Sequence, residues 1–267
     1  MNMIDINPLQ QLLAQVNPST SLGVKRGRPL FMAHMIAGYP NMEQSEKVAT
    51  ALADGGANII EVQIPFSDPM ADGPMIAVAC EDALKTGTTV ASSLALISKV
   101  SKTGKAVAVM SYVNPVYRYG IPKFVKTIKD AGASALIVPD CPFDTEEGVA
   151  LLAACKENDI FFIPVVSPGV PKERLEQLAQ DSRGFVYCTT RQGITGANSK
   201  FAQDLFDFVA ELKKIFKLPI AVGFGVKSHE DISTLAKHAD IVIAGSVFVS
   251  AIKSGGDVEK LAKQLAT

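Results

Sequence analysis

Short apolar runs rich in β-branched residues alternate with amphipathic stretches along the chain. The runs Leu30–Met35, Asn58–Ile64, Ala106–Tyr112, Ala135–Val138, Phe161–Val166, Gly184–Thr189, Ile220–Val222 and Ile241–Ala244 read as eight strands. Helical spacing marks Met42–Asp54, Ser92–Ser101, Ile121–Ala131, Thr145–Asn158, Pro171–Gln180, Lys200–Phe216, Ser228–Lys237 and Val258–Ala266. Two of these, at Thr145-Glu146-Glu147 and Ser228-His229-Glu230-Asp231, open with a capping residue and an acidic first turn. Strands separated by helices imply a parallel sheet, because each crossover needs a helix to return the chain. Eight of them predict an α/β protein closed into a (β/α)8 TIM barrel. Further helices at Pro8–Gln15, at Pro74–Lys85 after the second strand, and in the short run Val247–Ile252 after the eighth lie outside the repeat. Nothing resembling a linker interrupts the pattern, so residues 1–267 are expected to form a single domain.

Composition narrows the function. Of 267 residues, 48% are hydrophobic and 20% charged, which excludes a disordered chain. The net charge is −1 and no basic block reaches four residues, so no nucleic-acid partner is expected. The longest uncharged apolar stretch, Ile241 to Val249, is about nine residues against the roughly 20 that a membrane helix needs. The opening MNMIDINPLQ lacks the basic-then-apolar order of a signal peptide, and a cytoplasmic location is expected. Cys80, Cys141, Cys155 and Cys188 form no CxxC and read as buried reduced thiols. His34, His229 and His238 have no metal-ligand spacing, so no metal is expected. No strand runs into GxGxxG or GxxxxGK[ST], and no lysine stands alone at a strand end to form a Schiff base.

A barrel works at the carboxyl ends of its strands. In the second strand, alternation puts Ile59, Glu61 and Gln63 on one face and Ile60, Val62 and Ile64 on the other. The all-apolar face suits the helix layer, so Glu61 points into the lumen. A carboxylate there is costly unless paired, and reads either as an internal ion pair or as a group poised to give and take protons. The loop that follows carries three prolines and two aspartates, Asp68 and Asp72, in PFSDPMADGP. The aspartates are turn formers or, for Asp72, a second catalytic carboxylate. Gly193 and Gly196 after strand six, Gly223 and Gly225 after strand seven, and Gly245-Ser246 after strand eight are turns taken singly. Together they fit the barrel phosphate site, in which backbone N–H groups and a helix N-terminus hold the anion. Phe31, Met110, Tyr112, Tyr187 and Phe224 lie at or near strand ends and are candidate pocket lining or core filler. The implied substrate is phosphorylated, partly aromatic and handled by two carboxylates.

The segment Glu61–Pro74, EVQIPFSDPMADGP, resembles the signature of the tryptophan synthase alpha chain family, Glu-Leu-Gly-Ile/Val-Pro-Phe-Ser-Asp-Pro-x-Ala-Asp-Gly-Pro. The likeness extends to Ala37-Gly38-Tyr39-Pro40, Tyr112-Val113-Asn114-Pro115, Val138-Pro139-Asp140, Arg191–Gly196, Gly223–Val226 and Ala244-Gly245-Ser246. The resemblance implies retro-aldol cleavage of indole-3-glycerol phosphate to indole and glyceraldehyde 3-phosphate, with indole passed on for tryptophan synthesis. Carried over by motif, Glu61 is the acid–base and Asp72 holds the indole N–H. Tyr187 is the pocket tyrosine, Thr195 and Gly196 belong to a lid, and Gly196, Gly225, Gly245 and Ser246 bind phosphate. It further implies no cofactor in this chain, a pyridoxal-phosphate beta chain as partner in an alpha2beta2 heterotetramer, and Asp68 as a partner contact. Departures are Gln63 for the signature glycine, Val62 for leucine, Thr190 for serine, and the run Cys141-Pro142-Phe143. Gln63 is expected to reach Glu61 or to narrow the pocket. Two alternatives stand beside the ordinary subunit: a stand-alone indole-releasing lyase and a weakly catalytic alpha-like allosteric partner.

Overall fold

A computed structural model describes residues 7–16, 28–189, 199–223 and 225–267, with backbone alone for 199–202. Its strands are β1 (Leu30–Ile36), β2 (Ile59–Gln63), β3 (Ala106–Met110), β4 (Ala135–Ile137), β5 (Phe161–Ile163), β6 (Val165–Val166), β7 (Val186–Cys188), β8 (Ile220–Gly223) and β9 (Ile241–Ala244). All pair in parallel, in the order β5-β4-β3-β2-β1-β9-β8-β7-β6. The expected fifth strand, Phe161–Val166, is two strands rather than one. Pro164 interrupts it, since proline has no N–H to donate to a ladder. The first half pairs with β4 and the second with β7, so the broken strand lies at both ends of the sheet and brings the barrel nearly to closure.

The helices are α1 (Pro8–Leu13), α2 (Met42–Asp54), α3 (Pro74–Lys85), α4 (Val90–Val100), α5 (Val113–Tyr119), α6 (Ile121–Asp130), α7 (Glu146–Glu157), α8 (Lys172–Asp181), α9 (Ser199–Ile215), α10 (His229–Leu235), α11 (Ser246–Lys253) and α12 (Val258–Ala266). Thr145 caps α7 by accepting from Gly148 N–H, and Ser228 with Asp231 forms a capping box on α10. A Thr89–Ser92 capping box starts α4 two residues before its apolar spacing becomes readable. Helix α5 has no counterpart among the sequence expectations. Its Pro115 falls in the first turn, where the missing N–H costs nothing, and the Asp140 carboxylate accepts Val113 N–H at 2.9 Å.

Period-two alternation divides the apolar residues between two cores. Ala33, Met35, Ile60, Val62, Val107 and Val109 face the helices. Leu30, Met32, Ile59, Ala108, Ile137, Phe161, Phe185 and Ile241 fill the lumen. Helix α1 closes the amino end of that lumen with Leu9 and Leu13, each worth about 1.5–3 kcal/mol of apolar burial. Asn7 fastens it: its amide donates to the carbonyls of Ser134 (3.1 Å) and Asp159 (3.0 Å) while Oδ1 accepts Leu9 N–H. Polar side chains enter the lumen at the opposite, carboxyl end.

Candidate active site

Strands β1 and β2 run in register with His34 opposite Glu61 and Ile36 opposite Gln63. Glu61 is 2% exposed and Gln63 wholly buried, so both are inside the barrel wall rather than on its rim. The His34 Nδ1 atom lies 3.2 Å from Glu61 Oε2. The contact is electrostatic rather than an aligned hydrogen bond, because that oxygen closes none among the described residues. Burial alone would push the His34 pKa down, but the Glu61 carboxylate, with Asp72 beyond it, overcomes this and holds the ring above its ordinary range. The two side chains thus pair inside the barrel wall, and Glu61 stands toward the mouth-facing end of the lumen.

The loop after β2 brings Asp72 to the same place. Gln63 does not extend to Glu61; its Nε2 donates to Asp72 Oδ2 at 2.6 Å and to Cys80 Sγ at 3.4 Å. Burial pushes the Asp72 pKa up, opposed by the Gln63 donor, by His34 and by the Tyr112 hydroxyl. That hydroxyl also accepts Ala71 N–H at 3.1 Å, which ties the loop to the end of β3. The Cys80 thiol is pushed up to about 12, by burial first and by Asp72 second, and stays neutral. Tyr187 on β7 is raised well above the ordinary phenol by burial, then by Glu61 and Asp72.

Met110, Tyr112 and Tyr187 lie in or against the lumen cluster, and the Phe66 ring packs 5.4 Å from that of Tyr112. Phe31, expected beside them, does not line the pocket. It shares the outer face of β1 with Ala33 and Met35 and packs on Phe248 of α11, ring centroids 6.3 Å apart. The lumen side of β1 belongs to Leu30, Met32 and His34. His34 is the residue that sequence reasoning missed. The alternation test applied to β2 would have flagged it, as a polar side chain on the lumen face near a strand's carboxyl end.

Gly225 and Gly245 stand at the ends of β8 and β9. Gly225 has φ +48°, a left-handed conformation suited to glycine, and among the described residues nothing stands where its side chain would be. Gly245 precedes α11 without a side-chain cap, and Phe248 N–H donates to its carbonyl at 2.9 Å. A Cβ at 245 would come within 3.2 Å of the His34 ring, so backbone and imidazole are in close approach. The first turn of α11, led by Ser246, thus opens at the same mouth as the carboxylates, with its positive dipole end foremost. Asp68 is exposed and accepts the Ser67 hydroxyl at 2.6 Å. Phe224, Thr195 and Gly196 fall outside the described residues. Among the described residues, no three His, Cys, Asp or Glu side chains are grouped to hold a metal ion.

Comparison with known proteins decides among barrel chemistries. The profile of the tryptophan synthase alpha chain family matches residues 22–267. The chain belongs to that family. It is 38% identical over 225 residues to the tryptophan synthase alpha chain of Halalkalibacterium halodurans, covering 84% of each chain. Against the tryptophan synthase of Mycobacterium tuberculosis the TM-score is 0.84 at 36% identity, over 97% of this chain and 95% of that one. Against the alpha subunit of Campylobacter jejuni it is 0.79 at 37% identity, over 89% and 94%. The alpha chain family consists of lyases that cleave indole-3-glycerol phosphate, one half-reaction of tryptophan synthesis. An alpha chain implies a beta chain as partner. Among the described residues, no helix is long and apolar enough to cross a membrane.

Proposed function

We propose that Glu61 and Asp72 perform the cleavage, with the ester phosphate seated on backbone N–H groups at Gly225, Gly245 and Ser246. The observation that carries this is the convergence of two carboxylates at one end of the lumen, facing the first turn of α11. The Glu61 carboxyl delivers a proton to C3 of the indole. Asp72, beside the ring N–H, stabilises the positive charge that develops on the ring. As the bond from C3 to the glycerol carbon breaks, its electron pair returns to the ring. The proton of the adjacent hydroxyl passes to Glu61, restoring the acid and releasing glyceraldehyde 3-phosphate. Met110, Tyr112, Tyr187 and Phe224 form the walls, and Thr195 and Gly196 belong to the lid. The chain needs no cofactor of its own. It acts in the cytoplasm, as one barrel domain over 1–267, with a pyridoxal-phosphate beta chain in an alpha2beta2 assembly.

The test is indole release from indole-3-glycerol phosphate. Glu61→Gln keeps the shape of the site but removes its proton, and is expected to lower turnover by roughly 10²–10⁴-fold with substrate binding retained. Turnover near that of the unaltered protein would take Glu61 out of the mechanism. One observation favours the weakly catalytic alternative for the isolated chain: Gln63 already holds the Asp72 oxygen that the substrate requires.

A further inference from the structure

His34 has no part in the chemistry just described, yet its side chain is buried, at 9% exposure. Its ring lies between the two halves of the site. Nδ1 faces Glu61 at 3.2 Å. On the other side Cγ and Cδ2 stand within 3.3 Å of where a Cβ on Gly245 would be. Nε2, bonded to Cδ2, has no hydrogen-bond partner among the described residues. An imidazolium N–H that is buried, unpartnered and next to a helix N-terminus is a donor awaiting an anion. The site also has a problem that such a donor solves. A phosphate dianion at Gly245 would sit near Asp72, and near Glu61 once that group has given up its proton, in a setting of low dielectric where like charges repel strongly.

We infer that His34 is an anion-binding residue that shields the substrate phosphate from Glu61 and donates toward it from Nε2. This rests on the phosphate seat proposed above. Among the described residues, the groups facing the ring are Glu61 and Gln63 from β2, Asp72 from the loop after it, and the uncharged backbone of Gly245 before α11. Tyr187 on β7 is held neutral by burial and by the same carboxylates. The Gln63 amide lies close enough to favour the protonated ring, although its Oε1 closes no hydrogen bond. The charge is therefore present below the raised pKa of His34 and lost above it. Anion affinity should follow that charge.

Sulfate is the probe, because its own charge is constant from pH 6 to pH 9. Titrated into the full-length chain and followed by calorimetry, sulfate should bind about tenfold more tightly at pH 6 than at pH 9, the effect of one buried charge at a few ångströms. In His34→Phe, binding should be weak and nearly flat with pH. In Glu61→Gln the transition should move to lower pH, since the group that raises His34 is gone. Should His34→Phe fail to fold, the unaltered protein suffices: saturating sulfate must raise the His34 midpoint, followed by ring NMR, by the same factor. Equal sulfate affinity in unaltered and His34→Phe protein at both pH values would overturn the role of His34 alone. A pH slope that survives in His34→Phe would assign the effect to Asp72, with the same consequence. No sulfate binding to the unaltered protein at either pH would overturn the phosphate seat itself.

Discussion

At the residue scale, the departure from the family signature with the clearest consequence is Gln63. Its amide fills the space beside Asp72 and donates a 2.6 Å hydrogen bond to the oxygen Oδ2. A hydrogen bond to a charged group is worth about 1.5–3 kcal/mol, and in the proposed mechanism a ring N–H arriving at Asp72 has to displace it. Gln63→Gly removes both the competitor and the bulk. Its expected effect on the isolated chain is a rise of about tenfold in kcat/KM for indole release, carried mainly by KM; an unchanged or lower kcat/KM would show that the substrate makes use of the amide. The sequence placed Gln63 correctly on the lumen face but left open what it touches, because alternation fixes the side of a strand and says nothing of side-chain reach. Phe31 and His34 are a different case: alternation along β1 already puts them on opposite faces, and the register of β1 against β2 adds that the imidazole stands opposite Glu61.

Elements were more legible than contacts. Helices α2, α3 and α12 have the ends read from spacing and capping residues, because each carries its start signal in its own sequence. The fifth strand and α5 were not readable in the same way. Pro164 breaks a run whose apolar pattern is continuous, and α5 begins directly after β3 with no loop composition to announce it. Helix α11 carries a prediction of its own. Its eight residues follow Gly245, which has no side chain to cap the first turn, and among the described residues no other side chain caps it, which suits the turn to a ligand. A backbone seat of this kind holds phosphate without a metal. Indole release should persist at its full rate after dialysis against EDTA, and glycerol phosphate or sulfate should occupy the first turn of α11 in a crystal. Loss of activity on chelation, restored by a divalent ion, would contradict the backbone seat.

Across the whole molecule, the two ends of the barrel are built for different purposes. The amino end is sealed by α1, with Leu9 and Leu13 inserted in the lumen and Asn7 bonded across to residues before β4 and β5. The carboxyl end holds Glu61, Gln63 and His34 inside the lumen and exposes several large apolar side chains. Met70 on the loop after β2 is 83% exposed, and Met75 on α3 and Tyr117 on α5 are exposed as well. Exposed large apolar side chains beside a functional mouth are the composition of a docking face. The loop that carries Met70 also carries Asp68 and Asp72, so a partner seated there would act on the position of the carboxylate proposed to hold the indole ring. Such a partner raises activity to the extent that it binds the substrate-competent arrangement of this loop better than the others. In the proposed mechanism, Gln63 on Asp72 starts the isolated chain from an arrangement unsuited to substrate, which leaves much to gain. Titration of the cognate beta chain into a fixed amount of this protein should therefore raise indole release steeply to a plateau at equal subunit numbers, while Met70→Asp should shift the titration to higher beta-chain concentration with the plateau retained. Full activity of the isolated chain, unchanged by a beta chain that does not bind, would instead make this protein a stand-alone lyase.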